Sequence, residues 1–175
     1  MVNIKLPNVR LSFPNLFQTE LFGGEDTGKY AATFILDKTE HAAQIKEIED
    51  QIKQLTRDAF KNKALPEDRI ALKDGDKSDR DDYAGKMTIK ASTKKRPLLL
   101  NRDKTPVAEE DGVLYAGCYV NCILSLWAQD NQYGKRINGS LDGVMFAGHG
   151  EPFGSGGTDV SEFDMFESEY DETQF

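Results

Sequence analysis

The hydrophobic pattern of the chain follows two periods, one typical of strands and one typical of a helix. Strand-like stretches are rich in β-branched and aromatic residues and are bounded by turn residues. By these criteria, strands are predicted at 9–17, 30–36, 86–93, 97–100, 113–127 and about 137–147. Between the later strands lie turn signals such as "NRDKTP", "EEDG" and "DNQYGKR".

The helical period occurs between the second and third predicted strands. Its apolar positions are spaced 3, 4, 3 and 4 residues apart and form one stripe: Ile45, Ile48, Ile52, Leu55 and Ala59. Asp37 or Thr39 is the expected N-cap. We expect the stripe to pack on the sheet of its own domain, because little more than two heptads is short for a partner-binding coiled coil. The polar stretch 65–85 that follows is predicted to be a loop.

This order of elements, mostly strands with one inserted helix, indicates a mainly β fold. A small β-barrel accommodates it, and the five-stranded oligonucleotide-binding (OB) barrel is a common form among nucleic-acid-binding proteins. We therefore predict an OB-fold-like barrel with one long inserted α-helix over residues 1–150. Residues 151–175 are predicted to form a flexible Gly-rich linker and a disordered acidic tail.

The charge of the chain is unevenly distributed. The 175 residues have a net charge of -8, and from Glu151 onward there are eight acids and no lysine or arginine. The first 150 residues therefore hold 22 acids and 22 bases. Because the acidic excess belongs to the tail, the low pI does not describe the surface of the predicted barrel.

The two cysteines and the absence of long apolar runs indicate a reducing, cytoplasmic location. Cys118 and Cys122 would lie about 13 Å apart in a strand, too far for a disulfide. The N-terminus lacks the apolar region of a signal peptide. No apolar run approaches the length of a membrane span, so we expect no membrane partner.

The strand at 86–93 and the residues after it place basic and hydroxyl side chains on one face. Alternation assigns Met87, Ile89 and Ala91 to the core, and the opposite face carries Lys86, Thr88, Lys90, Ser92, Lys94 and Arg96. With Lys95 beside it, this face predicts a positive track for the phosphates of nucleic acid. The alternative interpretation is an ordinary solvated strand face.

The strand at 113–127 combines a core face with an aromatic face. Cys118, Val120, Cys122, Leu124 and Leu126 form the apolar face, and the other face carries Tyr115, Tyr119, Asn121, Ile123, Ser125 and Trp127. Aromatics among small polar residues suit a platform on which bases stack. The next turn adds Tyr133, Lys135 and Arg136. Alternatively, Tyr119 and Trp127 cover a second small core.

Enzymatic chemistry finds little support in the sequence. The two histidines, His41 and His149, do not combine with the cysteines in a metal-binding spacing. "DGDKSDRDDYAG" resembles a calcium loop only in part, because Asp79 replaces the turn glycine and Gly85 the bidentate glutamate. Neither a Walker A motif nor a GxSxG motif occurs. We expect no catalysis, no metal and no cofactor.

The last thirteen residues, "FDMFESEYDETQF", thread aromatics through acids. Phe163, Phe166 and Tyr170 are spaced 3 and 4 residues apart, and Phe175 is the last residue. One interpretation is a tail that keeps the protein soluble. In the other, the acids mimic phosphates and the aromatics mimic bases, so that the tail competes with nucleic acid for the binding groove.

Four motifs connect the chain with a known family: "YAGKMTIKAS" followed by "KKRP" (Tyr83 to Pro97), "YAGCYVN" (Tyr115 to Asn121), "YGKRINGSLDGV" (Tyr133 to Val144) and "GEPFG" (Gly150 to Gly154). With them the sequence resembles the bacteriophage single-stranded DNA-binding proteins, which have an OB-fold body and an acidic C-terminal tail. More narrowly, it is similar to a phage family long known as a domain of unknown function. The tail departs from the bacterial pattern, because it lacks a Pro-Phe ending.

The resemblance implies sequence-independent binding of single-stranded DNA during phage replication and recombination, in the cytoplasm of an infected bacterium. It also implies that the tail contacts replication proteins. The protein is expected to act as a monomer or a homodimer. The residues predicted to bind DNA are Tyr83, Lys86, Lys90, Lys94, Lys95, Arg96, Tyr115, Tyr119, Trp127, Tyr133, Lys135 and Arg136.

Two rival functions remain at this stage. The first is an acidic adaptor or DNA mimic that inhibits a host nucleic-acid enzyme, with the tail as its functional element. The second is a metal-dependent nuclease that uses the acids of the Asp74–Asp82 loop.

Overall fold

The structure is a computed structural model that describes residues 3–153, apart from the side chain of Asp82. The predicted tail residues Phe163, Phe166, Tyr170 and Phe175 lie outside the described residues. The strands are β1 (Ile4–Asn15), β2 (Leu21–Phe22), β3 (Glu25–Asp26), β4 (Tyr30–Asp37), β5 (Leu72–Asp74), β6 (Lys86–Thr93), β7 (Leu98–Leu100), β8 (Tyr119–Asn131) and β9 (Gly134–Gly148). The helix α1 spans Ala42–Phe60, and short 3₁₀ turns lie at Glu67–Arg69, Gly75–Lys77, Asp81–Tyr83 and Glu109–Asp111.

Five long strands close into a barrel in the order β6-β4-β1-β8-β9, with β9 returning to pair with β6. The closing pair is parallel and short, and it joins Ala91 to Gly139 and Ser92 to Ser140. Neighbouring strands elsewhere around the barrel are antiparallel. This is the Greek-key order of the OB-fold, so the predicted fold class is confirmed.

The barrel interior is filled by the alternate residues of its strands. The predicted core face of β8 is confirmed, since Val120, Cys122, Leu124 and Leu126 are buried, as is Cys118 just before the strand. Burial raises the pKa of both cysteine thiols, of Cys122 most strongly, so they stay protonated near neutral pH. Both cysteines are free.

Helix α1 packs on the barrel, as predicted. Ile45, Ile48 and Phe60 are buried against the core, and Ile52 and Leu55 are partly buried beside them. The last position of the predicted stripe is wrong, because Ala59 is exposed and the neighbouring Phe60 is the buried residue. Among the described residues, no helix has the length and hydrophobicity required to cross a bilayer.

The predicted N-cap of α1 is wrong, because the residue at that position is His41, which makes no side-chain cap. Asp37 instead accepts hydrogen bonds from the amides of Thr39 and Glu40 in the turn before the helix. The ring of His41 accepts a hydrogen bond from the Asp37 amide through Nδ1 (2.9 Å). Its Nε2 therefore carries the proton and donates it to the Pro7 carbonyl (2.9 Å). His41 is thus a satisfied buried histidine.

The first residues of the predicted linker are held against the barrel. The Phe153 amide donates to the Ala116 carbonyl (3.1 Å), and the Arg10 guanidinium contacts the Glu151 carbonyl and lies 4.2 Å from the centre of the Phe153 ring. The Tyr115 hydroxyl accepts from the Gly150 amide (3.1 Å). The chain therefore leaves the described body at a fixed place, beside the first residues of β8.

Candidate nucleic-acid interface

Two adjoining depressions on the outside of the barrel form one groove. Their volumes are about 360 and 870 Å³, and they share Lys29 and Ser92 as lining residues. We use "the groove" for both together. Hydroxyl and amide side chains of β6, β8 and β9 line its floor: Ser92, Gln129, Asn138 and Ser140.

Three connections form the walls of the groove. The residues that flank the β2–β3 hairpin contribute Glu20 before it and Thr27 and Lys29 after it, and the β8–β9 turn contributes Tyr133. The stretch 68–73 forms a third side, because Ile70 bridges to Ile137 and the Ala71 amide donates to the Ile137 carbonyl (2.9 Å). The first two connections are those that OB-folds use around oligonucleotides, beside the face of the second and third barrel strands.

The groove carries more positive than negative charge. Two of its lining residues are acids, Glu20 and Asp68, and six are bases: Lys29, Arg69, Lys73, Lys90, Lys94 and Arg136. Lys90 pairs with Glu20 at 3.0 Å. Five bases remain without an ion pair among the described residues. Such a cluster attracts the phosphates of a nucleic acid strand.

Two aromatic side chains stand in the wider part of the groove. Trp127 is 37% exposed and Tyr133 is 74% exposed. Trp127 therefore does not serve as the cover of a second core. Single-stranded nucleic acid is typically bound by a groove that is lined by lysine and arginine side chains and contains exposed aromatic rings.

Five of the twelve predicted DNA-binding residues line the groove: Lys90, Lys94, Trp127, Tyr133 and Arg136. Lys95 and Arg96 are exposed in the turn just after β6, next to Lys94, and Arg96 donates to the Phe17 carbonyl (3.1 Å). The other five lie elsewhere, for reasons that differ from residue to residue.

Tyr83 is buried, contrary to the prediction that it stacks on bases. It is 7% exposed, its hydroxyl lies 3.1 Å from Ser12 Oγ, and the Arg80 guanidinium lies 5.1 Å from the centre of its ring. The ring has no free face for a base. Tyr83 instead holds the polar 65–85 stretch against β1.

Lys86, Tyr115 and Tyr119 lie away from the groove, toward the other end of the barrel. Lys86 pairs with Asp37 at 2.6 Å, and this hydrogen bond lowers the pKa of the Asp37 carboxyl strongly. Tyr119 lies beside Arg10, and the Tyr115 hydroxyl contacts His149 and Gly150. Along β8, Tyr119 is about 26 Å from Trp127.

Lys135 lies on the side of the helix, with its Nζ 5.7 Å from the centre of the Phe60 ring. It follows Tyr133 in the chain but does not line the groove. Alternation along β9 explains this, because Lys135 and Arg136 point to opposite sides of the strand.

Sequence reasoning missed three of the bases in the groove, Lys29, Arg69 and Lys73. Lys29 and Arg69 lie in connections and Lys73 lies in the short strand β5, so none of them is on the β6 face where the positive track was predicted. Arg69 reaches the groove because its guanidinium lies against Gly134, where a Cβ atom would be 2.4 Å from Nη1. The sequence signal for them was only their charge in stretches rich in turn residues.

Two acids of the Asp74–Asp82 loop, Asp74 and Asp76, form ion pairs with the same lysine. Lys38 Nζ lies 2.7 Å from Asp74 and 2.6 Å from Asp76, and these hydrogen bonds lower the pKa of both carboxyls. Lys77 pairs with Glu67 at 2.9 Å. Among the described residues no group of three or more His, Cys, Asp or Glu is arranged to hold a metal ion. This arrangement gives no support to the nuclease or calcium interpretation.

The fold and the groove together define an OB-fold of the oligonucleotide-binding class. The sequence model of the family described as "Enterobacter phage Enc34, ssDNA-binding protein" matches residues 2–174. The chain belongs to this family, and the resemblance inferred from its motifs is confirmed.

Individual relatives agree with this assignment. The chain is 38% identical over 173 residues to protein p50 of Acyrthosiphon pisum secondary endosymbiont phage 1, covering 93% of each. It is similar in structure to the single-stranded DNA-binding protein from bacteriophage Enc34, with 32% identity and a TM-score of 0.78, over 94% of this chain and 90% of that one. The same phage protein in complex with ssDNA matches with 34% identity and a TM-score of 0.78, over 87% and 89%.

Proposed function

We propose that this chain is a non-catalytic protein that binds single-stranded DNA in the groove without reading its sequence. The observation that carries the proposal is one continuous groove that combines six lysine and arginine side chains with two exposed aromatic side chains. The bases contact phosphates, and Trp127 and Tyr133 stack on nucleobases. A related phage protein, solved in complex with ssDNA, has the same fold over most of its length.

Sequence independence follows from the chemistry of the groove. Stacking is tolerant of sequence, because every nucleobase has a flat face. Contacts from lysine and arginine to phosphate carry no base information. Single-stranded rather than duplex DNA is the proposed ligand, since only unpaired bases expose their faces to Trp127 and Tyr133.

The C-terminal tail is proposed to compete with DNA for the groove. Its acidic side chains complement the six lysine and arginine side chains of the groove. Its aromatic side chains take the place of nucleobases: Phe163, Phe166, Tyr170 and Phe175. The ten residues from Phe153 to Phe163 reach at most about 33 Å, more than the ~26 Å between Tyr119 and Trp127 along β8. Once DNA displaces it, the tail is free to recruit phage or host replication proteins during replication and recombination.

The test is fluorescence anisotropy of a labelled oligo-dT, titrated with the full chain and with a version ending at Gly157, at low and moderate salt. Both forms are expected to bind, the shortened form more tightly. With Mg²⁺ or Mn²⁺ present the oligonucleotide is expected to stay intact, and EDTA is expected to leave binding unchanged. If neither form binds, the proposal fails, and the tail becomes the functional element of an acidic adaptor.

A further inference from the structure

The β2–β3 hairpin presents two large apolar side chains to solvent. Phe22 is 82% exposed and Leu21 is 65% exposed. No other large apolar side chain among residues 3–153 is as exposed as Phe22. Burial of such a ring is favourable by about 1.5–3 kcal/mol, so a ligand in the groove that covered it would gain binding free energy.

The hairpin is a built element rather than a frayed loop. Gly23 and Gly24 both have positive φ (60° and 84°), as a tight two-residue turn requires. At its base, the Glu20 amide donates to the Lys29 carbonyl (2.7 Å) and the Thr27 amide donates to the Glu20 carbonyl (2.9 Å). Hydrogen bonds from Thr19 and from the Gly28 amide to the Asp26 carboxylate lower its pKa.

The hairpin register places Phe22 on the side of the groove. Phe22 pairs with Glu25 and Leu21 with Asp26. Glu20 lies just before β2 but continues the hairpin ladder through its backbone hydrogen bonds, and it lines the groove. Because residues two apart in an extended chain share a face, Phe22 lies on the groove side about 7 Å beyond Glu20. Leu21, between them, points to the opposite side.

The charges around Phe22 select what it contacts. Its cross-strand partner Glu25 is an exposed acid, which repels a phosphate. A nucleobase carries no net charge and offers a flat face to the ring. In this arrangement the nucleobases of the bound DNA contact the hairpin, and its phosphates contact Lys29 and Lys90.

We infer that Phe22 is a third base-stacking residue, which contacts the strand where it leaves the groove over the β2–β3 hairpin. The inference rests on the proposed function, because it needs a strand bound in the groove. It extends the binding site to a residue that does not line the groove itself.

The test compares Phe22→Ala, Phe22→Trp and Leu21→Ala in the full chain, with an oligo-dT short enough that titration shows one copy bound. Phe22→Ala is expected to weaken binding about tenfold at every salt concentration, whereas Phe22→Trp keeps wild-type affinity. Leu21→Ala, the matched control on the other side of the hairpin, is expected to change affinity less than twofold. Because both side chains are exposed, none of these variants should unfold the protein.

A direct contact is tested by placing the photocrosslinker p-benzoylphenylalanine at position 22 or at position 21. Crosslinking to oligo-dT is expected from position 22 and not from position 21. Wild-type affinity of Phe22→Ala for the short oligonucleotide would overturn the inference and leave the proposed function standing. An effect of Phe22→Ala only on strands that hold several copies would also overturn it, because the ring would then contact a neighbouring protein. If the wild-type protein does not bind oligo-dT, both the proposed function and the inference about Phe22 are wrong.

Discussion

At the scale of the residue, the side chains of the groove divide into those that contribute charge and those that contribute a flat surface. Lys90 and Trp127 represent the two kinds, and both line the groove. Salt distinguishes them, because each phosphate contact releases counterions and a stacked base does not.

Trp127→Ala is expected to weaken ssDNA binding by about 1–3 kcal/mol at all salt concentrations. Lys90→Ala is expected to flatten the log–log salt dependence by about 0.7, the value for one phosphate on a single strand. Anisotropy titrations with oligo-dT between low and moderate salt measure both. Lys86→Ala is the matched control, because Lys86 lies on the same strand but pairs with Asp37 away from the groove. Equal slopes for the Trp127 and Lys90 variants would contradict the roles assigned to them.

Tyr83→Phe tests whether Tyr83 stabilises the fold rather than binding DNA. Removal of its hydroxyl leaves the buried Ser12 hydroxyl without the contact at 3.1 Å. The free energy of unfolding is expected to fall by about 1 kcal/mol, with unchanged affinity for oligo-dT. Urea denaturation and anisotropy measure the two quantities. A loss of affinity without a loss of stability would restore Tyr83 to the binding site.

At the scale of the element, the groove depends on the short parallel contact between β6 and β9. Lys90 and Ser92 of β6 reach Asn138 and Ser140 of β9 only because the two strands approach closely there. Gly139 permits this approach, since a Cβ atom at that position would lie 2.6 Å from the Lys90 carbonyl oxygen.

Gly139→Val is expected to lower the free energy of unfolding by at least about 1–3 kcal/mol, because the side chain would push β6 away from β9. The affinity for oligo-dT should fall with it, since the floor of the groove would widen. Gly148→Ala on the same strand is the control, because an added Cβ atom meets nothing within 4 Å there. Thermal unfolding of both variants measures the difference, and equal melting temperatures would show that the close approach is not required.

Most strand-face positions could be predicted from local alternation, although Thr88, predicted on the outer face of β6, is buried. Strand limits could not be predicted in this way. The predicted strand 113–127 begins at Tyr119, because Gly117 has φ 111° and the chain turns there at the end of the barrel. The polar 65–85 stretch was predicted as a loop, yet β5 within it pairs with β6. Both outcomes depend on contacts with residues distant in sequence.

At the scale of the whole molecule, charge is divided between the barrel and the tail. The groove carries six bases and two acids, and the residues from Glu151 onward carry eight acids and no bases. The two parts of one chain are therefore electrostatically complementary, and their attraction weakens with salt.

Tail variants separate the contribution of charge from that of the aromatics. Replacing the tail acids by amides is expected to tighten oligo-dT binding mainly at low salt, because the attraction to the groove is then lost. Replacing Phe163, Phe166, Tyr170 and Phe175 by alanine is expected to tighten binding at every salt concentration. Anisotropy titrations of both variants against the wild type measure this. If neither variant differs from the wild type, the tail does not compete for the groove.

The sequence by itself determined which residues face the core of β8, that one amphipathic helix packs on the barrel, and which family the chain belongs to. These properties depend on alternation, on helical spacing and on local motifs, which all involve residues close together in the sequence. It also placed Lys90 and Trp127 on outer strand faces, where a ligand can reach them.

Only the tertiary structure decided which outer residues share one groove. Tyr119 and Trp127 lie on the same face of β8 but about 26 Å apart, so alternation alone could not separate them. Lys29 and Arg69 join the groove from connections, and Lys73 joins it from the short strand β5, which pairs with β6. Barrel closure places residues far apart in sequence side by side, and no local pattern contains that information.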